Sequence, residues 1–323
     1  MTQRLVIFSP SGAVPEPARV RRAVRRLKGH GFEVDLDEGA LARSQRFAGD
    51  DEARLAALHR VARQGVDGAC CVALASRGGY GLTRLLDRID WPLLARSVER
   101  GLRWVGYSDL TALQLAAMAH RAAGPERVAH VHGHHDDGHC EHAGGFWHGP
   151  MANDDFGRPP EELDEVTEAC FNEAMGGELE AVGFRTEAGF DGLDFAGRLW
   201  GGNLCVAVSL LGTPHFPRVK GGILFFEDVA EHPYRIERML LQLHQAGVLA
   251  AQKAVVLGQF TDYKKSPLDR GYTLKSAVAH LRAVCPVPIL TGLPFGHVPT
   301  KVCLPVGRRV TLAVQGRDAF IGW

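Results

Sequence analysis

Three side chains far apart in the chain could make up one reaction centre: Ser108, Glu227 and His297. Ser108 sits in Arg103-Trp104-Val105-Gly106-Tyr107-Ser108-Asp109-Leu110-Thr111, where an apolar run stops at a small polar turn and a helical pattern starts. A serine at the carboxyl end of a strand, facing a helix N-terminus, stands outside the core beside backbone N–H groups that the helix leaves unpaired. That position suits a nucleophile whose attack puts negative charge on an oxygen in need of donors. Glu227 closes the run Gly221-Gly222-Ile223-Leu224-Phe225-Phe226, and an acid directly after such a run must be solvated, paired or functional. His297 lies in Gly292-Leu293-Pro294-Phe295-Gly296-His297-Val298-Pro299-Thr300-Lys301, a Pro/Gly loop stiff enough to fix an imidazole. Together the alcohol is a nucleophile, the imidazole a general base and the carboxylate the group that holds the imidazole tautomer.

A fourth feature is Arg77-Gly78-Gly79-Tyr80-Gly81, which follows a buried apolar run. Its N–H groups can face an anion, yet its spacing is neither G-x-G-x-x-G nor a P-loop. Gly79 is therefore a candidate donor to an oxyanion. Each feature also has a plainer reading. A serine before a helix is commonly an N-cap, a glycine pair a tight turn, Glu227 a charged strand end and His297 a surface histidine. What favours chemistry is position. Ser108 and Gly79 end consecutive apolar strands, and crevices at strand carboxyl ends are where open α/β sheets bind ligands.

The elements that must hold these residues alternate strand and helix in the first half. Strand patterns cover Arg4–Phe8 and residues 32–36, 69–74 and 104–107. Between them, Val20, Ala23, Val24 and Leu27 recur at helical spacing, and Asp50 or Asp51 can cap a helix carrying Leu55, Leu58 and Val61. A further helix is expected after Gly81, with Leu82, Leu85 and Leu86 inward. Repeated β-α of this kind predicts a doubly wound parallel α/β sheet over residues 1–150. Residues 151–177 are acidic and punctuated, and are expected to be a linker. Residues 178–323 mix strands at 221–229, 254–260 and 309–314 with helices at Pro233–Gln245 and Leu274–Val284, which predicts a β-rich α+β domain.

Composition narrows the function. The 323 residues are 46% hydrophobic and 23% charged, with 37 Lys+Arg against 37 Asp+Glu, so no net field favours nucleic acid or an anionic membrane. No apolar run approaches the ~20 residues of a membrane helix, and the N-terminus reads as a first strand rather than a signal peptide. The seven cysteines, with Cys70 and Cys71 adjacent, fit neither a disulfide framework nor a paired-CxxC zinc site. A cytoplasmic protein is expected.

In these motifs the chain resembles the LD-carboxypeptidases (muramoyltetrapeptide carboxypeptidases), serine peptidases that include the microcin C immunity peptidases. The resemblance runs through Ser9-Pro10-Ser11-Gly12, Arg77-Gly78-Gly79-Tyr80-Gly81, Gly106-Tyr107-Ser108-Asp109-Leu110-Thr111 and His148-Gly149-Pro150-Met151. It continues through Gly201-Gly202-Asn203-Leu204, Phe226-Glu227-Asp228 and Gly296-His297-Val298-Pro299-Thr300. It implies Ser108 as nucleophile, Glu227 as acid and His297 as base, with oxyanion-hole N–H groups from Gly79 and Asp109. It also implies a flavodoxin-like N-terminal domain, a β-rich C-terminal domain, the active site between them, a homodimer, and no metal or organic cofactor. The implied reaction releases terminal D-alanine from murein tetrapeptide during cell-wall recycling. A microcin-type peptidase cleaving a peptidyl- or aminoacyl-nucleotide amide, or a non-catalytic metal- or anion-binding protein, are the rivals.

One segment departs from that pattern. Residues 130–148 hold His130, His132, His134, His135, His139, His142 and His148. Such spacings could bind zinc or nickel, or belong to a polar insertion that alters substrate access. For the substrate carboxylate, Arg77 and Lys301 are the cations nearest in the motifs, and each reads equally well as a surface cation.

Overall fold

Runs that are apolar on both faces form parallel strands in the first half, and alternating runs form antiparallel strands at the far end. The computed structural model describes residues 3–124 and 143–323. Its strands, in chain order, are β1 (Arg4–Phe8), β2 (Glu33–Leu36), β3 (Val72–Ala75), β4 (Arg103–Val105), β5 (Gly145–His148), β6 (Ala181–Arg185) and β7 (Asp194–Asn203). They continue with β8 (Ile223–Val229), β9 (Ala254–Thr261), β10 (Ile289–Thr291), β11 (Leu304–Val306), β12 (Arg309–Gln315) and β13 (Asp318–Gly322). The helices are α1 (Pro17–Gly29), α2 (Asp51–Val66), α3 (Trp91–Glu99), α4 (Leu110–Ala119), α5 (Glu165–Gly176), α6 (Leu204–Ser209), α7 (Pro233–Gln245) and α8 (Leu274–Val284).

The first sheet has the order β11-β5-β4-β3-β1-β2. Strands β1 to β5 are parallel in the flavodoxin-like arrangement, with a reversal of winding between β1 and β3. Strands β3, β4 and β5 are buried along their whole length, as helices on both faces require. Asp50 caps α2 through the Ala53 N–H, and α1 buries Val20, Ala23 and Leu27. The second sheet has the order β10-β9-β8-β7-β12-β13-β6. Its β7-β8-β9-β10 half is parallel, and its β12, β13 and β6 half is antiparallel, with every second residue turned to solvent. The expected α/β layout with a β-rich second part is therefore what the chain forms. No helix among the described residues is long and apolar enough to cross a membrane.

Two local expectations differ from the structure. After Gly81 the chain makes two short 3-10 turns, Leu82–Arg84 and Leu86–Arg88, in place of a helix. Ile89 is extended and Asp90 caps α3 at the Leu93 N–H, so the run is interrupted before a longer helix can propagate. Residues 151–177 are not a bare connection. They form a π-helical turn, Ala152–Phe156, and then α5, which ends at Gly177 in the left-handed conformation (φ 74°). Phe171 packs on Phe32 (ring centroids 5.8 Å apart) and on Phe156 (4.9 Å), and Gln3 and Arg103 bind the Met175 carbonyl at the end of α5. Thr167, Cys170, Phe171 and Ala174 line one helix face at three- and four-residue spacing, so α5 belongs to the first layer.

Candidate active site

Ser108 occupies a tight turn between β4 and α4 with φ 63°. A non-glycine residue in the left-handed region costs on the order of 1–3 kcal/mol and persists only where its surroundings enforce it. Gly106 supplies one cause, because a Cβ there would stand 2.7 Å from Leu110 Cδ2 and 3.0 Å from Ala75 Cβ. The turn thus lies against the ends of two neighbouring strands. Ser108 is not an N-cap. The cap position of α4 is Asp109, and among the described residues the Ser108 hydroxyl makes no hydrogen bond.

Opposite Ser108 lies Gly78. A Cβ on Gly78 would fall 2.6 Å from Ser108 Cβ, 2.7 Å from Oγ and 3.3 Å from the Asp109 nitrogen, so only glycine can approach the turn this closely. The sequence reading singled out Gly79 and passed over Gly78, since nothing in the spacing shows which glycine faces the serine. Gly79 follows at φ 106°. Among the described residues, neither the Gly79 nor the Asp109 N–H has a backbone acceptor. The Asp109 carboxylate accepts from Ser11 Oγ (2.6 Å) and the Leu82 N–H (3.0 Å), tying the loop after β1 and the turn after Gly81 to the nucleophile turn. Burial pushes the Asp109 carboxyl up from its ordinary value, against these hydrogen bonds.

Glu227, on β8, is fully buried rather than a solvated strand end. A register shift between Phe226 and Asp228 marks a bulge at this position. Its carboxylate receives His297 Nδ1 at 2.7 Å and Asn203 Nδ2 at 3.1 Å. Asn203 ends β7, also donates to Asp228 Oδ1 (2.9 Å), and accepts from the Val206 N–H to cap α6. Gly201 and Gly202 bring it there: a Cβ on Gly201 would lie 1.9 Å from the Phe225 carbonyl, and one on Gly202 would lie 2.3 Å from His148 Nε2. Asn203 appeared in the sequence only as part of a motif, and both its carboxylate contacts come from β8, some two dozen residues further on.

His297 is half-buried. Gly296, at φ 143°, turns the loop so that Nδ1 meets Glu227 and Nε2 remains available. Burial is the largest single influence on the imidazole and opposes its charge. The hydrogen bond to Glu227, the Glu227 charge and the Asp228 charge outweigh it, so the pKa is raised from the ordinary histidine value. Asp228 itself is pushed up to about 6, chiefly by burial and further by Glu227. The Tyr107 ring, one residue before Ser108, meets the His297 ring edge-on with centroids 4.9 Å apart. Glu227 and His297 are therefore bonded, and the ring of Tyr107, the residue before Ser108, abuts the imidazole. No hydrogen bond joins Ser108 to His297 among the described residues.

These residues form an alcohol in a strained turn, unpaired N–H groups beside it, and an oriented imidazole. A solved muramoyltetrapeptide carboxypeptidase from Oxalobacter formigenes is 36% identical to this chain, covers 99% of both chains, and superposes with a TM-score of 0.83. Residues 5–124 match the LD-carboxypeptidase N-terminal domain and residues 196–312 match the LD-carboxypeptidase C-terminal domain. The chain belongs to the LD-carboxypeptidase family. Another LD-carboxypeptidase relative, the murein tetrapeptide carboxypeptidase of Pseudomonas aeruginosa, is 29% identical over 96% of this chain and 92% of its own length. The microcin C7 self immunity protein MccF shares the fold at 18% identity, with a TM-score of 0.81. Membership makes the chain a carboxypeptidase-type hydrolase.

Three remaining sequence readings concern metal and charge. Among the described residues no group of three or more His, Cys, Asp or Glu could hold a metal. Of the histidine-rich segment, His148 is buried on β5 against Phe225 and Phe295, and burial lowers its pKa to about 3. The other six histidines lie outside the described residues. Lys301 is neither a surface cation nor open to a substrate carboxylate: it is fully buried and ion-paired with Asp155. Arg77 is half-buried and donates to the Ala13 carbonyl at 3.2 Å, with Nη2 beside Gly79 and the guanidinium carbon beside Gly12.

Proposed function

We propose that this LD-carboxypeptidase hydrolyses the peptide bond between the L-centre of the diamino acid and the terminal D-alanine of murein tetrapeptide. Ser108 Oγ attacks the carbonyl carbon while His297 Nε2 takes its proton, and Glu227 holds Nδ1–H and stabilises the imidazolium. The oxyanion accepts from the Gly79 and Asp109 N–H groups, for which neither has another backbone acceptor. His297 then returns the proton to the departing D-alanine nitrogen, leaving the tripeptide acyl group on Ser108. A water deprotonated by His297 attacks that ester and restores the serine.

One observation carries the reading: a serine held at positive φ against a glycine, with the ring of the preceding tyrosine against a His297 that is bonded to the buried Glu227. The substrate follows from the names of the full-length relatives. The same reading carries action in the cytoplasm and a homodimer, checked by cell fractionation and light scattering.

The experiment is turnover of tetrapeptide by wild-type enzyme and by Ser108→Ala. The variant should keep its fold and lose on the order of 10^4-fold or more in rate. Near-normal turnover by that variant would remove Ser108 as nucleophile. An aminoacyl-sulfamoyl adenylate serves as the second substrate. Cleavage of it alone would move the substrate assignment to the microcin type and leave the chemistry intact.

A further inference from the structure

Lys301 is a buried cation for which the steps above have no use. Its Nζ donates to Asp155 Oδ1, to the Val298 carbonyl at 2.6 Å and, at 3.5 Å, to the Pro299 carbonyl. The same atom lies 5.2 Å from the centroid of the Tyr107 ring. The Lys301 N–H donates to Thr167 Oγ1 on α5 (2.9 Å), and the second Asp155 oxygen accepts from the Met151 N–H (2.8 Å). An ammonium has three donors, and all of them are engaged inside the protein. Stability alone is a poor reason for such a pair, because apolar residues of equal volume are often at least as stabilising.

What the pair does is join segments that meet at the site. Val298 and Pro299 are the first and second residues after His297. Asp155 belongs to the π-helical turn, whose Asn153 N–H donates to the Ser76 carbonyl just before Arg77 and Gly78. Tyr107 precedes Ser108 and its ring abuts His297. We propose that Lys301, paired with Asp155, is a positioning residue that sets His297 against Ser108 by clamping the two carbonyls beyond the imidazole and seating its charge on the Tyr107 ring. The proposal rests on the reading of Ser108 and His297 as nucleophile and base.

The charged groups facing His297 are Glu227 and Asp228 from β8, Asp154 from the π-helical turn, and Lys301 from its own loop. Of these only Lys301 opposes an imidazolium. Lys301→Met removes the cation at similar volume, and K301M/D155N also removes the carboxylate that the single variant would leave unpaired while keeping an acceptor for Met151. Both should lower kcat by about 10^2-fold, the scale of a misplaced reacting group, with KM changed by less than about 3-fold. K301M should move the acid limb of kcat/KM to higher pH, because imidazole protonates more readily once the cation is gone, whereas the double variant, which loses cation and anion together, should titrate closer to wild type. Thermal melts should show K301M destabilised and the double variant recovered.

A double variant that regains kcat together with stability would overturn the proposal and leave the pair a packing feature. A rise in KM at unchanged kcat would also overturn it, making Lys301 a substrate contact. Ser108→Ala run in parallel separates the two levels: full activity there sinks the underlying chemistry whatever the Lys301 variants do.

Discussion

At the scale of single residues, the Glu227–His297 contact has a sign that can be measured. Glu227 raises the imidazole pKa, so the neutral base is lost on the acid side at a pH above the ordinary histidine value of ~6.5. Glu227→Gln removes the charge while keeping an acceptor. The acid limb of kcat/KM should then move to lower pH, and kcat should fall by between about 10^2- and 10^4-fold through loss of the oriented tautomer. A limb that stays in place in the pH–rate profile would separate Glu227 from the base. Stability runs the opposite way. The raised histidine pKa contributes stability below its unfolded value, and this is lost as pH rises through the folded one. Ser108, Glu227 and His297 stand out in the sequence as candidates because Ser108 ends an apolar run at a small polar turn, Glu227 is an acid directly after an apolar run and His297 sits in a Pro/Gly loop. Gly78, Asn203 and Lys301 do not stand out. Their roles consist of contacts across the fold, and a lysine flanked by Pro299 and Thr300 carries no local sign that it will be buried.

At the scale of elements, strand and helix patterns in the first half could be read because double burial leaves runs with little polar interruption. The region carrying α5 could not, because Glu165, Glu168 and Glu173 surround its apolar face and prolines precede it. Yet α5 supplies Thr167, which holds Lys301, and Cys170, whose sulfur accepts from the Cys303 N–H at 3.1 Å. Phe171→Ala would empty the contact with Phe32 and Phe156. A loss of about 3–5 kcal/mol is expected for a wholly buried phenylalanine, read by denaturant unfolding. A cost below about 0.5 kcal/mol, the ordinary surface range, would restore the linker reading for this segment.

At the scale of the molecule, the two sheets are bound together by chain that crosses between them. Strand β11 lies 156 residues after β5 in sequence, by the pairing of Leu304 with His148, and closes the edge of the first sheet in antiparallel register. An expression product ending at residue 177 would leave that edge open, and an unpaired strand edge invites aggregation. Residues 1–177 alone should be insoluble, and co-expression with residues 178–323 should return soluble, active enzyme. A soluble monomeric fragment 1–177 would show that β11 is dispensable for the first sheet.

The late arrival of β11 also bears on synthesis in the cell. A ribosome has made the serine turn long before it reaches the segment that delivers the imidazole and seals the sheet. Until His297 and β11 have been translated, a nascent chain holds the serine turn with no base beside it, so hydrolytic competence should emerge only once residue 306 has been made, and chains truncated before it should be inert.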